Sequence, residues 1–467
     1  MKRIEYFSII NLIIVIGIIA RLIIIFFFAE AYYNRPNIYV DGDTQAWAIS
    51  FQNLVQTGSF TVNPDHEYGY FGRMPGYSFF LGFFWLILGK WESVYPVIAY
   101  IQIFLDVVSI WLIYRIAIGI FNNKSVALTS SFLYALYPFV IVWNPVVYSE
   151  SASVFLMLLS LFFLLKNPTK DYFLAGIFLG IGILFRPQLM FLVPIFALTI
   201  IAIKRKFFST SLIYFTIALI ISYGIWPIRN LINHNKIVLT QDLRGIKNWN
   251  VDVISFMQYT FSVKSDWEPQ FTSIIKNTPT QWPSEAYVSK EDSLLLEKAV
   301  FLSKHCGSGF SQWNGYWQDT IAVENSCTKE ISDIFQILRN HQKKLNPVNY
   351  YLSVPFDNLS KAIFKNSLYK KDTSVRKFAS ILFLYRTVLF LLGLLGIFLM
   401  ARKKNYYYIM LLSFVVLLYV TLCWGGSPQM RNIEIRYFLH ADILLLFSAA
   451  FFINWLYEKV LQKIRII

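Results

Sequence analysis

Residues 172–203 read YFLAGIFLGIGILFRPQLMFLVPIFALTIIAI. As one α-helix this run would be about 48 Å long, against an apolar bilayer core of about 30 Å. Arg186-Pro187 interrupts it. Proline disfavours helix at the residue before it, and an arginine at the bilayer centre is costly. The run therefore divides into two short spans, 172–185 and 189–203, with Arg186 at the turn between them.

A second decision of the same kind concerns residues 76–89, GYSFFLGFFWLILG. This segment covers about 21 Å as a helix, too short to span, and reads as interfacial. The apolar run 8–28 follows Met1-Lys2-Arg3 and has no small-residue cleavage site after it, so it reads as a retained first span rather than a signal peptide. Further apolar runs lie at 97–118, 126–143, 148–165, 209–226, 379–400, 406–424 and 437–457. The expected fold is an all-α polytopic membrane protein with about ten transmembrane helices. It has a first outer loop with interfacial helices and a mainly helical outer cap inserted after the seventh span. The expected parts are a membrane module 1–226 with the loop 29–96, the cap 227–377, and C-terminal membrane helices 378–467.

Composition agrees. Of 467 residues, 56% are hydrophobic and only 15% charged, where soluble proteins carry about 25% charged residues. The net charge of +15 does not indicate nucleic acid, because the cations sit in short clusters between apolar runs. With the N-terminus inside, the clusters Lys2-Arg3, Arg115…Lys124, Lys166…Lys170, Lys204-Arg205-Lys206, Arg402-Lys403-Lys404 and Lys459…Arg465 all fall on the cytoplasmic side. That is the positive-inside pattern. Counting 76–89 as a span, or merging 172–203, destroys it. Both large loops then lie outside, so the outer face is the working face.

Polar residues collect at the outer ends of the spans. They are Asp41 and Asp43, Tyr70 and Arg73, Ser149-Glu150, Arg186, Arg229-Asn230, and Arg431, Glu434 and Arg436. Carboxylates that deprotonate an acceptor, beside cations that hold a phosphate leaving group, suit a group-transfer reaction. Each residue also has a plain structural reading. Asp43 can cap the helical pattern that follows it, Ser149-Glu150 can open a helix, and Arg229 and Arg436 can snorkel to the interface. The case rests on co-location. Cys306 and Cys327 lie in one polar region. They can pair if it faces an oxidising compartment, closing a loop of about 20 residues worth roughly 3 kcal/mol, or remain free thiols. Cys423 reads as a small core residue. The five histidines are scattered, so no metal ligand is assigned; a divalent metal is compatible but not demanded.

The ordered set of features resembles the C-type glycosyltransferases, in particular the bacterial branch related to protein O-mannosyltransferases and the lipid A aminoarabinose transferase. The matching pieces are Asp43…Trp47…Leu54…Gly58, Arg73-Met74-Pro75-Gly76-Tyr77, Ser149-Glu150, Ala175-Gly176…Gly180…Arg186-Pro187, Trp226-Pro227-Ile228-Arg229-Asn230 and Arg436-Tyr437-Phe438. The resemblance implies an inverting transfer of a sugar from a polyprenyl-phosphate donor to a glycan, lipid or protein acceptor. The reaction would occur on the outer face of a bacterial cytoplasmic membrane. It makes Asp43 the base, with Asp41 as the competing assignment, and Glu150 the second acid. It puts Arg73, Arg186, Arg229 and Tyr70 on the donor phosphate, and Arg436 and Asn230 among further ligand contacts. Two departures stand out. Asp43-Thr44 replaces the family's Asp-Glu pair, and Arg244–Trp249 replaces its Gly-Gly-Asn-Leu-like segment. The alternatives from other classes are a transporter or flippase of lipid-linked sugars, and a polysaccharide polymerase or ligase of another fold. Internal repeats and polar residues at the bilayer midplane would mark the first of these.

Overall fold

The computed structural model describes residues 2–166, 168–242, 250–263, 267–311, 325–364, 374–424 and 434–464. Arg431 and the Arg244–Trp249 segment lie outside them. Among the described residues the chain is helical, with no strand. Helix α1 (Lys2–Ile23) runs on through a π-helical turn to Tyr33. It stops at Asn34, whose left-handed backbone (φ 55°) asparagine tolerates better than most residues. Helix α2 (Gly42–Thr57) ends at Gly58, and α3 (Pro75–Leu88) ends at Gly89, both at φ 75°. Pro75 opens α3 at the position where a missing N–H costs nothing. With 14 residues, α3 is as short as the run 76–89 reads in the sequence. Helix α4 (Trp91–Phe121) follows.

Among the described residues, six helices are long and apolar enough to cross a membrane: Ser8–Tyr33, Trp91–Phe121, Pro187–Lys204, Ser374–Arg402, Tyr407–Trp424 and Ile435–Gln462. A seventh forms if Thr210–Tyr223 and Ile225–His234, bent by 46°, are one span. Two more of the expected spans fall on 17-residue helices, α6 (Glu150–Lys166) and α7 (Thr169–Phe185). The apolar run 126–143 needs correcting. Helix α5 (Lys124–Ala135) has only 12 residues. Pro138 forces Tyr137 into an extended backbone (φ −71°, ψ 113°), and only a short turn, Pro138–Ile141, follows. The Arg186-Pro187 break has the same cause: α7 stops at Phe185, Arg186 is extended, and α8 (Leu192–Lys204) begins after a 3-10 turn.

Helix α9 (Thr210–Tyr223) packs on α7 at closest approach. A Cβ on Gly176 would lie 2.4 Å from the Phe215 carbonyl oxygen, and one on Gly180 would strike Ser222. Small residues four apart let two backbones touch where no hydrophobic effect drives the helices together. Helix α10 (Ile225–His234) carries Arg229 and Asn230, which the sequence places beyond the span.

The cap has its own core. Phe256, Tyr259, Phe271, Phe310 and Phe335 pack among α11 (Val251–Phe261), α12 (Lys290–His305) and α13 (Ser326–Leu345), and Val62 of the first loop inserts into the same cluster. Cys306 and Cys327 are joined, with their Cα atoms 6.0 Å apart.

The C-terminal helices α14 (Ile381–Arg402), α15 (Tyr407–Trp424) and α16 (Ile435–Ile464) share one core with the N-terminal module. Two buried ion pairs lock the bundle. Arg21 meets Asp106 at 2.5 Å and also donates to the Gly17 and Ala135 carbonyls. Arg386 meets Asp442 at 2.6 Å, with Tyr137 and Tyr419 donating to the same carboxylate. Removing one member of such a pair costs about 3–5 kcal/mol, because the other charge stays buried. Asp442→Ala is therefore expected to lower the midpoint of thermal unfolding in detergent strongly. The double change Arg386→Met/Asp442→Leu should lower it less than Asp442→Ala does. Equal or additive losses would show that the pair carries no such coupling.

Candidate active site

The site is assembled by backbone first. Asp41, extended at φ −138°, caps α2: its carboxylate accepts from the Gly42 N–H at 2.8 Å, and its own N–H donates to Thr44 Oγ1. Thr44 Oγ1 donates in turn to the Val147 carbonyl, and the Val147 N–H donates to the Tyr39 carbonyl at 2.8 Å. These bonds tie the start of α2 to the strip that leads into α6. Buried Gln102 holds that strip from beneath. It donates to the Asn144 and Val146 carbonyls and accepts from the Tyr77 hydroxyl at 2.6 Å. A Cβ on Gly76 would lie 2.7 Å from the Leu184 backbone, so only glycine lets the Arg73 turn approach the Arg186 turn this closely.

Four segments consequently bring their charges together. Asp43, in the first turn of α2, accepts from Arg73 at 2.6 Å on one oxygen and from Arg436 at 2.8 Å on the other. The Arg73 guanidinium lies over the Trp47 ring, and that of Arg436 lies near Tyr148 and Tyr437, each about 5 Å from the ring centroid. Glu150, 1% exposed at the start of α6, is paired with Arg186. Arg436 reaches toward it at 4.0 Å and is held by Glu434 at 2.5 Å. Burial, and then the neighbouring Arg436 cation, lower the Arg186 guanidinium to about 10, still protonated at neutral pH. Arg73, Arg186 and Arg436 balance Asp43, Glu150 and Glu434 in formal charge. A cavity of about 140 Å³ lies against Asp41, Asp43, Trp143, Tyr148, Glu434 and Arg436.

Asp41 lies beside this group rather than in its centre. It caps the helix and pairs with Arg35 at 3.0 Å. The capping role that the pattern offers Asp43 thus belongs to Asp41. Arg229, Tyr70 and Asn230 form a separate group. Arg229 donates to the Phe60 and Tyr70 carbonyls, both at 2.9 Å, and to Asn230. Asn230 donates to the Val238 carbonyl, and the Tyr70 ring packs on His234. Arg229 and Tyr70, but not Asn230, line a larger, mainly apolar cavity of about 640 Å³ with Phe60, Phe79 and Trp226.

Sequence reasoning missed Gln102, Tyr148 and His440, whose Nε2 lies 2.9 Å from Ser153 Oγ beneath Glu150. A lone polar residue in an apolar run was the available signal for Gln102 and His440. Among the described residues no group of three or more His, Cys, Asp or Glu is placed to hold a metal ion.

Comparison with known proteins bears on the same residues. Residues 73–227 match the family described as dolichyl-phosphate-mannose-protein mannosyltransferase. The matched segment contains Arg73, Glu150 and Arg186, so the sequence resemblance to membrane glycosyltransferases has independent support there. Asp43 and Arg436 fall outside it. The chain is also similar to two crystal structures of an oligosaccharyltransferase from Archaeoglobus fulgidus, one tethered to an acceptor peptide and one in complex with Zn and sulfate. The first is 12% identical with a TM-score of 0.46, over 97% of this chain and 50% of that one. The second is 13% identical with a TM-score of 0.44, over 96% and 49%. The chain spans about half the length of these structures. No curated protein matches the sequence.

Asp41 and Arg186 separate in the expected cost of losing them. Asp41→Ala removes a helix cap and should cost about 1 kcal/mol. Arg186→Met leaves Glu150 buried without its partner and should cost about 3–5 kcal/mol, with Glu150→Gln/Arg186→Met recovering part of it. Thermal unfolding of the purified variants measures both. A neutral Arg186→Met would remove the pairing argument.

Proposed function

We propose that this protein is an inverting glycosyltransferase that moves a sugar from a polyprenyl-phosphate donor to a hydroxyl or amine of a glycan, lipid or protein acceptor. The reaction takes place on the outer face of a bacterial cytoplasmic membrane. One observation carries the reading: Asp43 sits between Arg73 and Arg436, with Arg186 on Glu150 beside it. The family match over residues 73–227 supports it.

The chemistry follows from the charges. The acceptor oxygen or nitrogen attacks the anomeric carbon, and its proton passes to a carboxylate oxygen of Asp43. The bond between that carbon and the phosphate oxygen breaks, and the electron pair leaves with the phosphate. A single displacement inverts the anomeric centre. The arginines stabilise the leaving phosphate, for which the planar fork of guanidinium is suited. Since acids and arginines are balanced in charge, a bound phosphate competes with the carboxylates for the guanidiniums. That exchange loosens Asp43 from its cations as the donor binds, which favours its taking a proton. The cavity beside Phe60, Phe79 and Trp226 offers an apolar wall to the isoprenoid chain.

The test is Asp43→Asn, which keeps hydrogen-bonding capacity and removes the basic oxygen. Transfer by membranes carrying the variant should fall by about 10²–10⁴, the usual worth of a positioned base. Because Arg73 and Arg436 lose their shared carboxylate, the unfolding temperature should also fall, so transfer is compared at equal amounts of folded protein. Glycolipid and glycoprotein masses from strains with and without the protein identify the product to be assayed. Full transfer by a normally folded variant would exclude Asp43 as the base.

A further inference from the structure

At the end of the bundle remote from Asp43, α8 and α15 diverge and leave a recess of about 810 Å³. Along α8 and its preceding turn, the recess mouth lies about 30 Å from Arg186. Its wall is mainly apolar, with Leu198, Ile203, Ile409 and Met410, and Arg205, Lys404 and Tyr406 also line it. Tyr406 is 71% exposed, where a tyrosine meets the headgroup region of a bilayer.

The backbone singles out the two cations. Among the described residues, left-handed φ values occur at Asn34, Asn122, Asn235, Asn277, Gly58, Gly89, Arg205 and Lys404. Asparagine and glycine are the inexpensive choices there. Arginine and lysine are not, and both line this recess. Neither makes an ion pair among the described residues. Their neighbours are placed differently: Lys204 lies over Tyr172, Arg402 over Phe398 and Lys403 over Phe451. Those three supply the positive charge that a helix C-terminus and the membrane orientation favour. Arg205 and Lys404, which belong to the same basic clusters, line the recess as well.

We propose that the recess between α8 and α15 binds an anionic phospholipid. Arg205 and Lys404 hold the phosphate-bearing headgroup, and an acyl chain lies against the apolar wall. The site is distinct from the Asp43 group and does not depend on the function proposed for it. Each cation near a membrane surface contributes about 1 kcal/mol to anionic-lipid binding, so losing both should weaken it about 30-fold.

The test uses the purified full chain in detergent, with dioleoylphosphatidylglycerol, dioleoylphosphatidylcholine or inorganic phosphate added. The variant Arg205→Asn/Lys404→Asn places at both positions the residue that other left-handed sites carry. Phosphatidylglycerol should raise the unfolding temperature of the wild type, and phosphatidylcholine and inorganic phosphate should not. The variant should be as stable as wild type without lipid, or more so, and should bind phosphatidylglycerol about 30-fold less tightly. Ala202→Trp, which fills the slot and leaves the cations in place, should also lose the stabilisation. Equal effects of the two lipids, or a shift produced by phosphate alone, would overturn the proposal. So would retention of the phosphatidylglycerol shift in either variant, or a variant destabilised in the absence of lipid.

Discussion

A guanidinium taken out of water has to meet a carboxylate, and in this chain that requirement reaches from one end to the other. Arg73, Arg186 and Arg436 are each less than a tenth exposed. They come from a loop near the N-terminus, a broken helix in the middle and the final helix. Asp43 and Glu150 satisfy them only if all four segments arrive at one place. Much of the local structure serves that arrival. The α2 cap on Asp41 frees Asp43 to turn inward, Gln102 fixes the strip before Glu150, and Gly76 lets two turns touch.

The same physics governs the bundle below. Arg21–Asp106 and Arg386–Asp442 lie in apolar surroundings and are ringed by tyrosine hydroxyls and backbone carbonyls. Pairs of this kind are weak sources of net stability but severe when broken. They set which helices may be neighbours, and α16 carries both Asp442 and Arg436. The cap is tied in through its shared cluster with Val62 and through the Ala362 and Ile363 carbonyls, which accept from Arg386 and Thr387.

Legibility from sequence followed how local each signal is. The break at Arg186 and the short α3 are written in proline, glycine and run length, and they could be read directly. The break at Pro138 was passed over because apolar residues continue on both sides of it. Thr44, three residues after Asp41, completes the capping box that assigns the α2 cap, a spacing with no periodicity to mark it. Ion-pair partners leave no periodic trace either. Nothing near Arg229 announces that it holds the loop carbonyls of Phe60 and Tyr70, and nothing near Asp442 names Arg386. The sequence showed where charges were out of place; the fold shows which partner each of the described ones meets.

Helix α16 is the least forgiving of these parts. It is an unbroken helix from Ile435 to Ile464, largely enclosed, with Asp442 clamped two turns below Arg436. Arg436 is thus mounted on a fixed post. Asp43, by contrast, is mounted on a 16-residue helix that packs through Trp47 on Tyr77 and Leu81 of the short α3 and is tied to the α6 strip by loop bonds. If the charged cluster opens to let a large molecule in, the yielding side is the N-terminal loop, and the C-terminal helix is the anvil against which it closes again.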